Sequence, residues 1–345
     1  MLTRRTTLQM LAAMSAAGLG GTKAFAQGRP FTFCSFGGAL SSTEKTAFMD
    51  PAAKKFGVEI ANVSPTNYAK IKAMVEAKAV EWDLVDVGGQ FIYQGRDQNL
   101  LEKLDYSVID VSKIDNAWVA EYGVFTSTGA TLIAYNTNAF PEGKGPQSWK
   151  DFWNIKDFPG ARSLFGRFYY NYEAALMAAG VPRDQVYPAT DDKVKLAFEK
   201  LREIKPHVKV WWTAGAQPAQ LLSSGEVTMA SAWSGRILDI MKEKAPVSMT
   251  YKDAVAWGNA FVIPKGSPYK DLAMKIINYA LTEEAQTALL PLGTYGPVLP
   301  SAAAKATPEQ AKLYVAYADA CIFNDAEVAV YNTKYEEEWK KFQLA

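Results

Sequence analysis

Phe31-Thr32-Phe33-Cys34-Ser35-Phe36 is a short, mostly apolar run, which predicts a strand. The pattern then changes to a helical one: Ser41 or Ser42 can cap a helix running to Phe56, stopped by Gly57. Glu59–Val63 reads as a second strand, and Asn67 can cap a helix over Tyr68–Ala79 with Ile71, Met74, Val75 and Ala79 on one face. Asp83–Val87 is a third strand, followed by a helix from Gln90 toward Leu101. Alternating βαβ units of this length predict a parallel sheet with right-handed crossovers. Ligands of such sheets bind beyond the carboxyl ends of the strands. The first strand runs into Gly37-Gly38 and the third into Gly88-Gly89. Glycines there can present backbone N–H groups to a ligand beside a helix N-terminus, or serve as plain turns.

Further along, Gly129–Thr137 is a long extended run and Trp149–Trp153 follows a Pro/Gly-rich loop. Helical patterns at Glu173–Ala179 and Asp191–Ile204 accompany strands at Val208–Trp212 and Val227–Trp233. Ala254–Pro264 is extended again, with a helix at Lys270–Leu281 after it. Two long extended segments flanking an inserted α/β region predict a hinged chain with two lobes. Trp149, Trp153, Trp211 and Trp212 are expected in a lobe core.

The N-terminus changes this picture in one respect. Arg4-Arg5 precedes an apolar stretch, Met10 to Gly21, that ends in Ala24-Phe25-Ala26. This is the plan of a cleaved export signal over residues 1–26, of the twin-arginine type, giving a mature start at Gln27 and a periplasmic protein. The apolar stretch is shorter than the roughly 20 residues that span a bilayer, so no membrane embedding is expected. Its removal takes Arg4, Arg5 and Lys23 from the 37 basic residues and none of the 36 acidic ones, leaving a balance of about −2. With no basic excess, a nucleic-acid partner is not expected. Of the two cysteines, Cys34 lies in an apolar strand pattern and is expected as a buried thiol, although the compartment permits its pairing with Cys321.

Several blocks, in order over nearly the whole mature chain, resemble the spermidine/putrescine-type solute-binding proteins of bacterial ABC importers, within the family 1 extracellular solute-binding proteins. They include Tyr68–Lys72 with Trp82–Val85, Gly129–Asn136, Ser148–Trp153, Ser224–Trp233, Phe261–Gly266, Met274–Leu281 and Gly293–Pro297. The resemblance implies a type II periplasmic-binding-protein fold of class α/β, with a ligand cleft between two hinged lobes. Lobe 1 would be 28–136 plus 260–300, and lobe 2 137–259 plus 301–345. It implies a small-molecule solute, an ABC permease and its ATPase as partners, a monomeric receptor, and no cofactor or metal.

Matching the motifs residue by residue, Trp233, Trp257 and Tyr295 fall on cleft aromatics of the family, and Phe36 takes an aromatic place at the end of the first strand. The family's acids do not survive: two fall on Arg167 and Tyr170 and a third on Asn259. A dication facing an arginine meets repulsion where its partner should be. Arg167, with Arg236 as a second candidate, instead suits a carboxylate or a zwitterion. Gly37, Gly38, Gly89 and Gln90 complete the expected cleft, with Thr213 and Gln217 as further polar contacts. Glu173 would supply an acid if the register slipped by one, and Asp86 offers either an ammonium partner or a strand-end role. A polyamine receptor, an iron receptor using tyrosinates and an exported hydrolase are the alternatives. The last lacks support: His207 is the only histidine, and no G-x-S-x-G, H-E-x-x-H or phosphate-loop motif is present.

Overall fold

A computed structural model describes residues 29–141, 143–314 and 320–345, so the export signal expected over 1–26 lies outside the described residues. Phe31–Ala345 forms one structural unit. Its strands are β1 (Phe31–Cys34), β2 (Ile60–Val63), β3 (Leu84–Gly88), β4 (Val119–Ala120), β5 (Gly123–Asn136), β6 (Arg162–Phe165), β7 (Val208–Trp212), β8 (Met229–Trp233), β9 (Val247–Val262) and β10 (Cys321–Ile322).

The local signals hold where side chains can satisfy backbone groups. Gly57 ends the first long helix in the left-handed conformation, φ 64°. Asn67 Oδ1 accepts the Lys70 N–H at 3.0 Å, which fixes the start of the helix Tyr68–Glu76. The first helix starts earlier than expected, at Gly38 rather than after Ser41 or Ser42, and continues through a π turn at Lys45–Met49 to Phe56. Gly37, at φ 90°, makes the turn, and its N–H donates to Ser41 Oγ at 2.9 Å, so the serine acts from inside the first turn instead of before it. The helix after β3 likewise ends at Asp97, short of Leu101, which bridges to Pro264.

The sheet order is β2-β1-β3-β9-β5-β8-β6-β7, with β4 on β5 and β10 on β9. The flanks β2-β1-β3 and β8-β6-β7 are parallel, as βαβ units require. The parallel pairing expected of the first βαβ units holds in β2-β1-β3, while in the middle of the sheet β9 runs antiparallel to β3 and β5, and β5 antiparallel to β8. The reason lies in connectivity: β5 and β9 carry the chain into and out of the inserted region, so they must run in opposite senses. Both are long, 14 and 16 residues.

Two large hydrophobic cores lie at opposite ends of this pair. One gathers Phe33, Val85, Phe91, Val124, Phe261 and Ile277, and the other Ile133, Phe168, Phe198, Trp212, Trp257 and Tyr331. This is the two-lobed α/β arrangement that the extended segments predict. Trp149, Trp153, Trp211 and Trp212 all pack in or against the second core. Cys34 and Cys321 are free and buried.

Arg162, fully buried at the start of β6, donates to the carbonyls of Phe152, Phe158 and Gly160. Burial lowers its pKa to about 10, so the guanidinium stays charged and its carbonyl partners are obligatory. Arg162→Ala leaves three carbonyls without their donor and is expected to cost about 3 kcal/mol or more. Urea unfolding checks this as a lowered midpoint at an unchanged slope.

Candidate ligand cleft

Beyond the carboxyl ends of β1 and β3 lies a cavity of about 350 Å³, walled by side chains from both cores. Its frame is set by backbone hydrogen bonds. The Gly88 N–H donates to Tyr68 Oη at 3.1 Å, and Thr66 Oγ1 donates to the Asp86 carbonyl at 2.9 Å. Opposite them, the loop after β6 is held by Asn171, whose Nδ2 donates to the carbonyls of Phe165 (2.6 Å) and Arg167 (2.7 Å). Trp339 Nε1 donates to the Gly166 carbonyl at 3.0 Å. Tyr170 has φ 66°, an unfavourable conformation for a bulky residue that persists only when its surroundings over-determine it. Here the Asn171 amide and the ring contacts of Tyr170 with Phe165 and Phe323 do so.

Ten of the twelve expected cleft residues line the cavity. Phe36, Gly89 and Gln90 come from the first side; Arg167, Tyr170, Trp233 and Arg236 from the second; Trp257, Asn259 and Tyr295 from β9 and the segment after it. Trp233 and Trp257 meet edge to face, their centroids 6.3 Å apart. Trp257 Nε1 donates to Thr131 Oγ1 at 3.0 Å and Asn259 Nδ2 to Ser127 Oγ at 3.2 Å, which orients both. Trp233 Nε1 and Arg236 Nε, by contrast, are buried donors with no acceptor among the described residues. Buried donors without partners are costly, and these two face a cavity where an acceptor or anion would satisfy them.

Gly37 and Gly38 do not line the cavity. The Gly37 N–H is used by Ser41, and a Cβ on Gly38 would lie 2.3 Å from Arg236 Nη1, so the guanidinium rests on that glycine. Thr213 lines the cavity, whereas Gln217 turns away, its Oε1 accepting the N–H groups of Thr213 (2.7 Å) and Ala214 (2.9 Å).

The acids redistribute most. Glu173 is buried away from the cavity, with Oε1 accepting from Tyr187 Oη (2.6 Å) and Tyr331 Oη (2.7 Å). Asp86 is also buried, with neither oxygen hydrogen-bonded among the described residues, and it does not line the cavity. Burial, then the charge of Glu44, pushes its carboxyl well above the usual range. The acid that does line the cavity is Asp325, the first residue of the helix Asp325–Lys334. Burial pushes its pKa up to about 8, against the opposing effect of the Gln90 N–H, which donates to it. Around it stand Tyr68, Tyr169 and Tyr170. Burial raises all three phenols, Tyr169 to about 12, so they are neutral hydroxyls at physiological pH.

The family described as bacterial extracellular solute-binding protein matches residues 47–316. The chain belongs to that family. Its relatives include a gamma-aminobutyric acid-binding protein of Pseudomonas aeruginosa, 35% identical over 277 residues, which cover 79% of this chain and 78% of that one. A spermidine/putrescine-binding periplasmic protein 1 of Haemophilus influenzae is 28% identical over 257 residues, 70% of this chain and 68% of the other. Among solved structures, an ABC transporter substrate-binding protein from Bradyrhizobium japonicum USDA 110 superposes with a TM-score of 0.85 at 37% identity, covering 90% of this chain and 98% of its own.

The chain is an extracellular solute-binding protein of an ABC importer, and this cavity is lined by two arginines and one acidic residue, unlike the acid-rich polyamine pattern. Asp325, Tyr68 and Tyr169 escape the sequence reading. Phe323-Asn324-Asp325 carries only the signal of a helix start, an Asn cap with an acid in the first turn. Nothing local says that this turn meets Gln90. Among the described residues, no group of His, Cys, Asp or Glu is arranged to hold a metal ion, and no helix is long and apolar enough to cross a membrane.

Glu44 lies behind the same wall, fully buried, with Oε2 accepting from Ser35 Oγ and Oε1 without a partner among the described residues. Burial pushes its pKa from 4.5 up to about 8. A carboxyl raised in the folded state contributes stability below about pH 4.5 that is lost as the pH climbs toward 8. Glu44→Gln is therefore expected to be more stable than the parent at pH 8, by about 1 kcal/mol or more, with the gap closing toward pH 4.5. Denaturant midpoints at the two pH values test the sign.

Proposed function

We propose that this receptor captures a zwitterion whose charges are separated by an apolar chain, an ω-amino acid such as 4-aminobutanoate. The carrying observation is a buried arginine donor, Arg236 Nε, that has no acceptor among the described residues, together with the buried Asp325 carboxyl in one aromatic-lined cavity. Arg236, with Arg167, takes the ligand carboxylate; a guanidinium fork suits that planar anion. Asp325 takes the ammonium, and Trp233 and Trp257 cover the methylene chain and exclude water. The cavity volume lies at the small end of ligand sites, as a solute of this size requires. A relative named for gamma-aminobutyric acid supports the same reading.

A dicationic polyamine needs a second acid, and the wall offers a single carboxylate beside two guanidinium groups, so the polyamine alternative is disfavoured by charge. The relatives are solute-binding proteins, and a binding role without chemistry is the reading adopted for this chain.

The lobes are taken as 28–136 plus 260–300 and 137–259 plus 301–345, hinged where β5 and β9 cross. Ligand stabilises closure through its contacts with the second lobe, and the closed form is what an ABC permease and its ATPase receive. The receptor is placed in the periplasm as a monomer, exported by the twin-arginine leader and cleaved near Ala26.

Calorimetry with 4-aminobutanoate tests the reading. Arg236→Gln and Asp325→Asn are each expected to weaken binding by about 2–5 kcal/mol. An ammonium beside Asp325 favours its ionised form, so binding at pH 7 should release up to one proton, and affinity should rise from pH 6 to 8. Titration in two buffers of different ionisation enthalpy measures the proton. No proton release, or a stronger response to putrescine, rejects the zwitterion.

A further inference from the structure

β1 and β3 are adjacent and parallel, with Cys34 opposite Val85. Counting four residues beyond each of these partners reaches Gly38 on one strand and Gly89 on the other. Each glycine is the first residue of the helix that comes after its strand. Both strand-to-helix junctions thus lie at the same edge of the sheet, the one after β3 direct and the one after β1 reached through Ser35-Phe36-Gly37.

What rests on each glycine differs in sign. A Cβ on Gly38 would lie 2.3 Å from Arg236 Nη1 and 3.1 Å from Cζ. A Cβ on Gly89 would lie 2.4 Å from Asp325 Cγ and 2.5 Å from Oδ2. Both distances are shorter than real Cβ contacts, so a side chain at either glycine would displace the charged group from the place it now occupies. Both charges arrive from the other side of the cavity, Arg236 on the helix Ser234–Lys242 and Asp325 on the helix Asp325–Lys334, whose Val328 and Tyr331 sit in the second core.

The helix ends respond oppositely. Each helix N-terminus presents free N–H groups and partial positive charge. At Gly89 the Asp325 carboxylate answers this by accepting the Gln90 N–H, in a helix whose own cap, Gly88, has no side chain to offer. At Gly38 a guanidinium faces another positive end, which leaves that junction needing an anion.

We propose that Gly38 and Gly89 are specificity-determining residues: as matched seats for one cation and one anion, they fix which charges the ligand must carry and in what order along its length. The inference rests on the zwitterion reading. It makes the anion end of the ligand lie over the β1 junction and the ammonium end over the β3 junction. Neither glycine need touch the ligand, since each acts through the side chain it admits.

The test compares calorimetric affinities for 4-aminobutanoate, butanoate and butylamine. Gly89 has no left-handed backbone, so Gly89→Ala changes only the space available. It should lower 4-aminobutanoate affinity at least 10-fold more than butanoate affinity. The same Cβ would also meet Phe125 Cζ at 2.4 Å, so Gly89→Ala/Phe125→Leu is measured beside it. A ratio that stays shifted in the double variant assigns the effect to Asp325, and a ratio restored to the parent value overturns the proposal. Gly38 has φ 62°, which asparagine tolerates, so Gly38→Asn is the second arm. It should cut butanoate affinity at least 10-fold more than butylamine affinity. Equal losses for all three ligands in either arm overturn the proposal. Asp325→Asn separates the two readings. If it shifts the 4-aminobutanoate to butanoate ratio while Gly89→Ala does not, the seats fall and the zwitterion stands. If it leaves the ratio unchanged, both fall.

Discussion

The antiparallel ladder between β5 and β9 is the constraint on which the rest of the molecule depends. Every residue of β5 is buried, and the pair runs from one hydrophobic core to the other. A register irregularity lies between Phe125 and Ser127 and another between Thr131 and Ile133. Between them the partners are Ser127 with Asn259 and Gly129 with Trp257, which places two of the cavity residues that β9 contributes. Bulges re-aim side chains and strengthen local twist, so the ladder changes direction where it meets the cleft. A Cβ on Gly129 would fall 2.6 Å from the Trp257 ring, so the tryptophan packs directly against the backbone of its neighbouring strand.

The cleft built on this ladder is an electrostatic problem as much as a shape. Buried charges are tolerated when paired or hydrogen-bonded, and burial pushes the carboxyls of Glu44 and Asp86, behind the cavity wall, toward their protonated forms. Asp325 sits between these regimes, raised by burial yet held by a backbone N–H. Glu173, clamped by two tyrosine hydroxyls, ties the helix carrying Asp325 to the helix that begins after Tyr170. Side chains remote from the solute thus decide where the solute's charges can be met.

Much of this was legible in the sequence, and what was not has a physical reason. The βα order of the first lobe, the Asn67 and Gly57 helix signals and the four core tryptophans come from local periodicity and capping. Arg167, Trp233 and Trp257 reach the cavity because they sit at strand ends or in matched motifs. The glycine pairs were visible, but not their purpose, since what approaches them comes from residues about 200 positions later in the chain. Asp325 was invisible for the same reason: its role exists only in the meeting of two helices, and its own segment reads as an ordinary helix start.

Trp233 and Trp257 stand edge to face across the cavity wall, and Trp212 adds a second edge contact 5.3 Å from Trp233. An indole whose N–H meets no acceptor among the described residues is an emitter whose colour and brightness depend on whatever arrives beside it. The receptor therefore carries its own optical gauge of occupancy, coupled in energy to neighbouring rings, without any dye being attached.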